Sequence, residues 1–207
     1  MPLSKLKADS LNLGDTFVFT GNVTGEATGA LNLLQTQTAS SSLSISFTTG
    51  IDSTYDEYWF IFNNCHPATD NADFTFSGSI DSGSNYNTTK TTTHFTAFQN
   101  EAGTDTSLNY SSGTDLAQST SFVQLGNNTG ADNDQCVSGL LKLYNPSSTT
   151  YVKHFIGMAS DYSNTNYHQQ FYLGGYFNTT SAIDAIQFKF SSGDIDDGTI
   201  QLFGVTK

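Results

Sequence analysis

The chain reads FTFSGSI from Phe74 to Ile80, an alternation of large or apolar residues with hydroxyl residues that is typical of a β-strand. The same period of two recurs in Leu43–Thr48 and in Ile186–Ser191. Successive side chains point to opposite faces of a strand. We therefore predict that each segment buries one face in a core and presents hydroxyl or amide groups on the other.

Two further segments, Tyr58–Phe62 (YWFIF) and Leu140–Tyr144 (LLKLY), are apolar on both faces. They are predicted to be central strands, or strands covered by another subunit. Clusters of Gly, Asn, Asp and Ser at 81–85, 127–130 and 191–194 favour turns between strands. No helical stretch is long enough for a parallel β-α-β unit. The sequence thus predicts an all-β fold, an antiparallel β-sandwich with a jelly roll as the expected winding.

The small polar stretch 36–42 is interpreted as a linker or long turn. We accordingly expect residues 1–40 to form an N-terminal docking arm with the first strand, and residues 41–207 to form the sandwich. Within the arm, Leu3–Leu13 is the best candidate for a helix, although it is short and would depend on a partner for its order.

Composition limits the classes of partner. The chain has 36% hydrophobic and 13% aromatic residues, enough for a packed core, but only 13% charged residues. Its net charge is −12, with seven lysines and no arginine. An acidic chain without the arginine fork is repelled by phosphate backbones and anionic membrane surfaces, so we expect no nucleic-acid binding.

No apolar run approaches the roughly 20 residues of a membrane span, which predicts no membrane insertion. The start, Met1–Lys7, lacks the apolar region of a signal peptide, and we expect the protein to be made and kept in a cytoplasm. In that reducing compartment Cys65 and Cys136 are expected to be small buried thiols rather than a disulfide.

Sequence motifs for catalysis are missing, and we predict no catalytic residue, no metal and no cofactor. Two weak patterns leave alternatives open. Cys65 and His66, followed by Asp70 and Asp73, could form a metal site, but the cluster fits a strand end and turn better. Asp194–Gly198 resembles a calcium loop, yet a hairpin turn with its corner at Asp197 and Gly198 is the favoured interpretation.

Tyrosines in polar surroundings are the candidates for surface recognition, because sugars stack on aromatic rings while amides and carboxylates bind their hydroxyls. The four candidates are Tyr86, Tyr110, Tyr162 and Tyr167. Each could instead bridge a sandwich edge or a subunit contact. The loop-rich region 101–135 is where we expect recognition to reside.

Four strings carry a resemblance to known proteins: Ser53–Tyr58, Asn145–Thr150, Gly175–Ile183 and Asp196–Ile200. They resemble segments of virion structural proteins, often labelled tail fibres, of marine bacteriophages (cyanophage-like). The resemblance covers about residues 51–205 and consists of framework strands and turns.

This resemblance implies a non-enzymatic virion protein, a homotrimer assembled in the host cytoplasm with other tail or capsid proteins. A short tail fibre or tail-associated component that contacts host cell-surface polysaccharide is the leading expectation. A capsid decoration protein is the alternative, and a carbohydrate-binding module or glycosidase is a third hypothesis. The residues expected to dock the chain onto the virion lie in the arm: Leu3, Lys5, Leu6, Lys7, Phe17 and Phe19.

Overall fold

The computed structural model describes residues 30–206, which form twelve strands in two antiparallel sheets. The strands are β1 (Leu31–Thr38), β2 (Ile45–Phe47), β3 (Glu57–Pro67), β4 (Phe74–Ser79), β5 (Lys90–Asn100), β6 (Thr106–Tyr110), β7 (Val123–Gln124), β8 (Val137–Tyr144), β9 (Lys153–Tyr162), β10 (Tyr167–Phe177), β11 (Ala185–Phe190) and β12 (Ile195–Val205). Within this part of the chain there is no helix that could span a membrane. The predicted helix Leu3–Leu13 and the docking residues, Phe17 and Phe19 included, lie outside the described residues.

The large sheet has the strand order β1-β12-β3-β8-β9-β10-β5-β6, and the small sheet has the order β2-β11-β4-β7. The two segments that are apolar on both faces, in β3 and β8, pair with each other in the middle of the large sheet, as predicted for central strands. Strand β1, which falls within the predicted arm 1–40, pairs with β12. The predicted boundary near residue 40 would therefore place β1 in the arm, although β1 is hydrogen-bonded into the large sheet.

A cluster of phenylalanines joins the two sheets. The ring of Phe188 on β11 lies 5.5–6.4 Å, between ring centroids, from five other phenylalanine rings. Those five are Phe47, Phe60, Phe62, Phe74 and Phe76, all with no exposed surface. Because they come from both sheets, the predicted all-β sandwich is confirmed. The jelly-roll winding stays a prediction.

The three predicted turns are confirmed by their backbone. Ser82 and Gly83 have φ values of 58° and 83°, Asn128 has 56° and Gly193 has 69°. Positive φ is the conformation that Gly and Asn adopt at low cost, which explains why these residue types mark the turns.

The prediction that one face of β4 meets solvent is wrong, because both faces of this strand are buried. The hydroxyls of the outer face bond to backbone carbonyls, one on the paired strand β11 and one on the β4–β5 connection that lies over the face. Thr75 donates to the Lys189 carbonyl at 2.8 Å, and Ser77 donates to the Tyr86 carbonyl at 2.8 Å. Alternation showed the hydroxyl face correctly, but a connection of the chain lies over it.

The interpretation of Asp197 and Gly198 as a hairpin corner is wrong. They lie inside β12, where the register with β3 shifts on both sides of Asp197. Gly198 has a φ of 119°, and a Cβ at this position would lie 2.7 Å from the Asn64 carbonyl oxygen. The glycine thus serves a β-bulge against β3, and the corner between β11 and β12 is the predicted turn 191–194.

Two lysines are fully buried at the first positions of β5 and β9. The Lys90 ammonium donates to the carbonyls of Thr120 and Ser121 at 3.3 and 2.7 Å. The Lys153 ammonium donates to the carbonyls of Tyr151 and Thr179 at 2.8 and 3.2 Å. Burial lowers the pKa of both, that of Lys90 to about 8. Each ammonium ties connections of the chain to the start of a strand.

Asp161 on β9 is a buried carboxylate, 1% exposed. One oxygen accepts a hydrogen bond from the Asn127 amide at 2.9 Å, while the other has no partner among the described residues. Burial raises the pKa of this carboxyl to about 7. The group is therefore protonated in the folded protein at mildly acidic pH, where it would be ionised in the unfolded chain.

Replacing Phe188 by Ala is expected to lower the free energy of unfolding by about 3–5 kcal/mol, because the cavity would open where both sheets meet. Chemical denaturation measures this change. The control is Tyr151→Ala, whose side chain is 71% exposed and whose loss should cost less than about 1 kcal/mol. A Phe188→Ala loss no larger than that of the control would contradict this account of the core.

Replacing Asp161 by Asn tests the buried carboxyl. Its folded pKa is about 7 against an ordinary 3.8, so its stabilising contribution is full below pH 3.8 and is lost as pH rises through 7. The free energy of unfolding of Asp161→Asn minus that of the parent should therefore increase from pH 4 to 7, by roughly 2–4 kcal/mol, and then level off.

The quantity to measure is the difference in free energy of unfolding between Asp161→Asn and the parent. The pH dependence of either protein alone also includes His94, whose contribution to stability changes with pH in the opposite direction. Burial lowers the pKa of His94 to about 4, and its contribution rises with pH over a similar range in both proteins. A difference that is constant from pH 4 to 8 would contradict a raised pKa for Asp161.

Candidate functional site

Two hairpin turns lie side by side at one end of the large sheet. Strand β10 pairs with β9 on one side and with β5 on the other, so the β9–β10 turn (163–166) and the β5–β6 turn (101–105) project together. The Glu101 amide donates to the Asn166 carbonyl at 3.2 Å, which fastens one turn to the other. We call this region the tyrosine end, because Tyr162 and Tyr167 flank it.

Asn100 fixes the shape of the β5–β6 turn. Its amide oxygen accepts from the backbone amides of Thr104 and Asp105 at 2.9 and 3.1 Å, and its amide nitrogen donates to the Thr104 hydroxyl at 2.9 Å. Gly103, which lies between Asn100 and Thr104 in the chain, has a φ of 67°. Side-chain hydrogen bonds of this kind replace the backbone hydrogen bonds of the sheet where a strand ends. They fix a turn in which Glu101 and Asp105 are exposed to solvent.

The tyrosine hydroxyls are bonded to these two carboxylates. The Tyr162 hydroxyl lies 2.9 Å from Oε1 of Glu101 and 3.3 Å from Oδ1 of Asn166, and the Tyr167 hydroxyl donates to Oδ2 of Asp105 at 3.0 Å. These bonds raise the pKa of both tyrosines, which keeps their hydroxyls protonated. Each ring is thus held at its hydroxyl, with part of its surface in solvent.

Three adjoining depressions surround the tyrosine end, with volumes of about 420, 500 and 260 Å³. The first two share Asn100 and Glu101, and the last two share Thr165 and Tyr167. Beyond these residues, the lining side chains that carry polar or aromatic groups are Gln99, Tyr162, His168, Asn166, Phe98, Asp105 and Gln169. Tyr162 lines the first depression, on the face of the sheet that carries His168, and Tyr167 lines the other two, on the face that carries Gln169. Aromatic surface, amides and exposed carboxylates therefore surround this end of the sheet.

The structure places the four predicted tyrosines in three locations. Tyr162 and Tyr167 come together at the tyrosine end. Tyr110 is 59% exposed on the edge strand β6, where its hydroxyl donates to Asp115 at 2.6 Å. Tyr86 is half-buried in the β4–β5 connection, and its hydroxyl is buried without a hydrogen-bond partner in the described part of the chain. Only the first pair lies beside the same two turns, with one ring on each face of the sheet.

Sequence reasoning did not single out the partners of this pair, Glu101, Asp105, Asn100 and Asn166. Glu101 and Asp105 lie in the region 101–135, where the sequence predicts recognition without indicating particular residues. The β9–β10 turn that supplies Asn166 lies outside that region, and only the pairing of β10 with β5 brings it close. The short Asn-rich stretch between Tyr162 and Tyr167 is the one sequence feature that could have indicated this turn as part of the site.

A second depression, of about 490 Å³, opens beside the β-bulge of β3 and β12. Its lining includes His66, Asp134, Asp196 and Asp197 but no aromatic side chain apart from the imidazole. His66 Nδ1 lies 3.8 Å from Asp196 Oδ2. Across residues 30–206, no group of three or more His, Cys, Asp or Glu side chains is arranged to hold a metal ion.

The alternative metal cluster of the sequence is also dispersed. Cys65 is buried, and burial raises the pKa of its thiol to about 12, which disfavours the thiolate that a metal requires. Asp70 accepts from the Ala131 amide at 3.2 Å, and Asp73 accepts from the Asn128 amide at 3.0 Å. These carboxylates support the loop 127–131.

No protein-family model matches this chain, and comparisons with curated proteins and with solved structures gave no match either.

Proposed function

We propose that this protein is a non-catalytic structural component of a bacteriophage virion, of the short tail fibre or tail-associated kind, that binds polysaccharide on the host cell through the tyrosine end. The observation that carries the binding role is the end of the sheet where adjoining depressions place Tyr162 and Tyr167, one on each face, among amides and carboxylates. The virion setting rests on the resemblance of residues 51–205 to phage structural proteins. The jelly-roll winding expected for such a domain belongs to the same proposal.

The groups at the tyrosine end match the chemistry of a sugar. A pyranose ring presents apolar C–H faces that pack on aromatic rings, and Tyr162, Tyr167 and Phe98 supply such surface. Its hydroxyls donate and accept, and the amides of Asn100 and Asn166 can do both. Three adjoining depressions also suit several consecutive sugar units better than one small ligand.

Charge narrows the class of polysaccharide. With a net charge of −12, and with Glu101 and Asp105 exposed beside the two rings, the site repels uronic acids, sulfates and phosphates. A neutral glycan has no such cost, and the carboxylates can accept hydrogen bonds from its hydroxyls. The proposed ligand is accordingly a neutral host polysaccharide.

Binding is favoured over hydrolysis by the state of the same carboxylates. A glycosidase requires a pair of carboxyl groups, one of them kept protonated by burial in an apolar pocket. Glu101 and Asp105 are exposed, and each already accepts a hydrogen bond from a tyrosine hydroxyl. This arrangement supports recognition without bond cleavage.

The double substitution Tyr162→Ala with Tyr167→Ala tests the binding role. Retention of the purified protein on host cells and on immobilised neutral polysaccharide should fall roughly tenfold or more, because each lost ring removes about 1 kcal/mol of packing. Tyr162→Phe with Tyr167→Phe keeps the rings and should retain most of the affinity.

Tyr151→Ala is the matched control, since Tyr151 is 71% exposed and lies outside the three depressions. Unchanged retention in the double Ala variant, or an equal loss in the control, would contradict the site. Circular dichroism establishes that each variant is folded.

Gold-labelled antibody on intact particles tests the virion role separately. Label at the tail supports a fibre or tail component, whereas label spread over the head supports the capsid decoration alternative. Particles without label would overturn both.

A further inference from the structure

The outer face of the large sheet, which the small sheet does not cover, carries an apolar row that crosses six strands. The register of the sheet aligns Ile61, Leu140, Met158, Tyr172, Phe95 and Tyr110. Met158 is 39% exposed, Phe95 45% and Tyr110 59%. The rings of Phe95 and Tyr172 stack with their centroids 5.0 Å apart, so this part of the row is flat.

A second row lies next to the first on the same face. It aligns Phe203, Trp59, Lys142, Ile156, Gly174 and Thr93. We call these two rows together the neutral face. Ile156 in the second row is 48% exposed, and Leu108 beside the first row is 69% exposed. Contiguous apolar exposure of this kind is uncommon on a monomer and marks contact surfaces.

The neutral face contains one charged side chain, Lys142, and that charge is compensated. Lys142 Nζ lies 4.0 Å from Oε1 of Glu57 and 3.8 Å from the centroid of the Trp59 ring. The chain as a whole has 19 Asp and Glu residues and a net charge of −12. The two rows contain none of those carboxylates, although they cross the middle of the sheet.

We infer that the neutral face is an interface between copies of this chain. Two copies that each carry −12 repel one another wherever carboxylates would meet, and this face lets them approach without that cost. A basic partner would instead be drawn to the acidic parts of the surface. Charge thus favours a second copy over a cationic protein as the occupant.

The size of the face also fits a stable contact between copies. With about 4.8 Å between strands and about 6.8 Å between residues on one face, the two rows and one row on either side cover roughly 25 by 25 Å. The added row beside Trp59 carries one carboxylate, Glu57, whose charge is compensated by Lys142. Specific interfaces bury about 800 Å² on each partner, which such a patch supplies once its side chains interdigitate. This inference stands apart from the glycan site, because the two rows contain none of the residues that line the tyrosine end.

A matched pair of isoleucines tests the inference. Ile156 lies on the neutral face at 48% exposure, and Ile80 follows β4 of the small sheet at 46% exposure. Each is replaced by Glu, which adds the same charge to the chain. Sedimentation equilibrium of the full chain between about 1 and 100 µM gives the mass of the assembly.

We expect the parent protein and Ile80→Glu to associate alike, and Ile156→Glu to weaken association by about tenfold or more, because the new carboxylates would meet across the contact. Dimer and trimer both agree with the inference. A parent protein that stays monomeric at 100 µM would overturn it, as would equal association of the two variants.

Leu108→Glu provides a second variant with little risk to the fold, since Leu108 is 69% exposed on the edge strand β6. It should weaken association in the same direction. Salt gives an independent measurement: raising sodium chloride from about 0.02 to 0.5 M should strengthen association, because it screens the repulsion between acidic copies. Weaker association at high salt would indicate ionic contacts and would contradict a neutral interface.

Discussion

The contact between phenylalanine rings of the two sheets is the interaction on which the rest of the structure depends. Phe188 lies at its centre, and Phe47, Phe60 and Phe74 reach it from both sheets. The Phe47 and Phe60 rings, one from each sheet, are 5.4 Å apart. Such rings bury large apolar area with few conformational degrees of freedom, and they hold the large sheet rigid on one side only. Its other side is left free to meet a partner.

Buried polar groups then fix the connections to this core. The ammonium groups of Lys90 and Lys153 each bond to two loop carbonyls, and the Asp161 carboxyl accepts from the loop at Asn127. A buried charge or carboxyl is costly without partners, so each of these groups favours one arrangement of the loops around it. Some of the few charged residues of the chain therefore hold loops against the core, which agrees with the scarcity of charged residues on the neutral face.

Assembly and recognition occupy different parts of the large sheet in our proposals. The neutral face crosses the middle of the sheet, whereas the tyrosine end lies where two hairpin turns project beyond it. Copies joined through the neutral face would bring several tyrosine ends together in one assembly. Multiple weak sugar contacts gain strength when they are linked, because later contacts form at high effective concentration.

The sequence by itself determined the all-β class, the central strands β3 and β8, and the turns at 81–85, 127–130 and 191–194. Those features depend on local periodicity and on residues that tolerate positive φ, which neighbouring residues reveal. It did not determine that β4 is covered on both faces, that Asp197 and Gly198 form a bulge, or that Lys90 is buried. Nor could it align Ile61 with Tyr110 or bring Asn166 to Glu101. Strand order and register decide those contacts, and they arise only when segments distant in the chain pack on a common core.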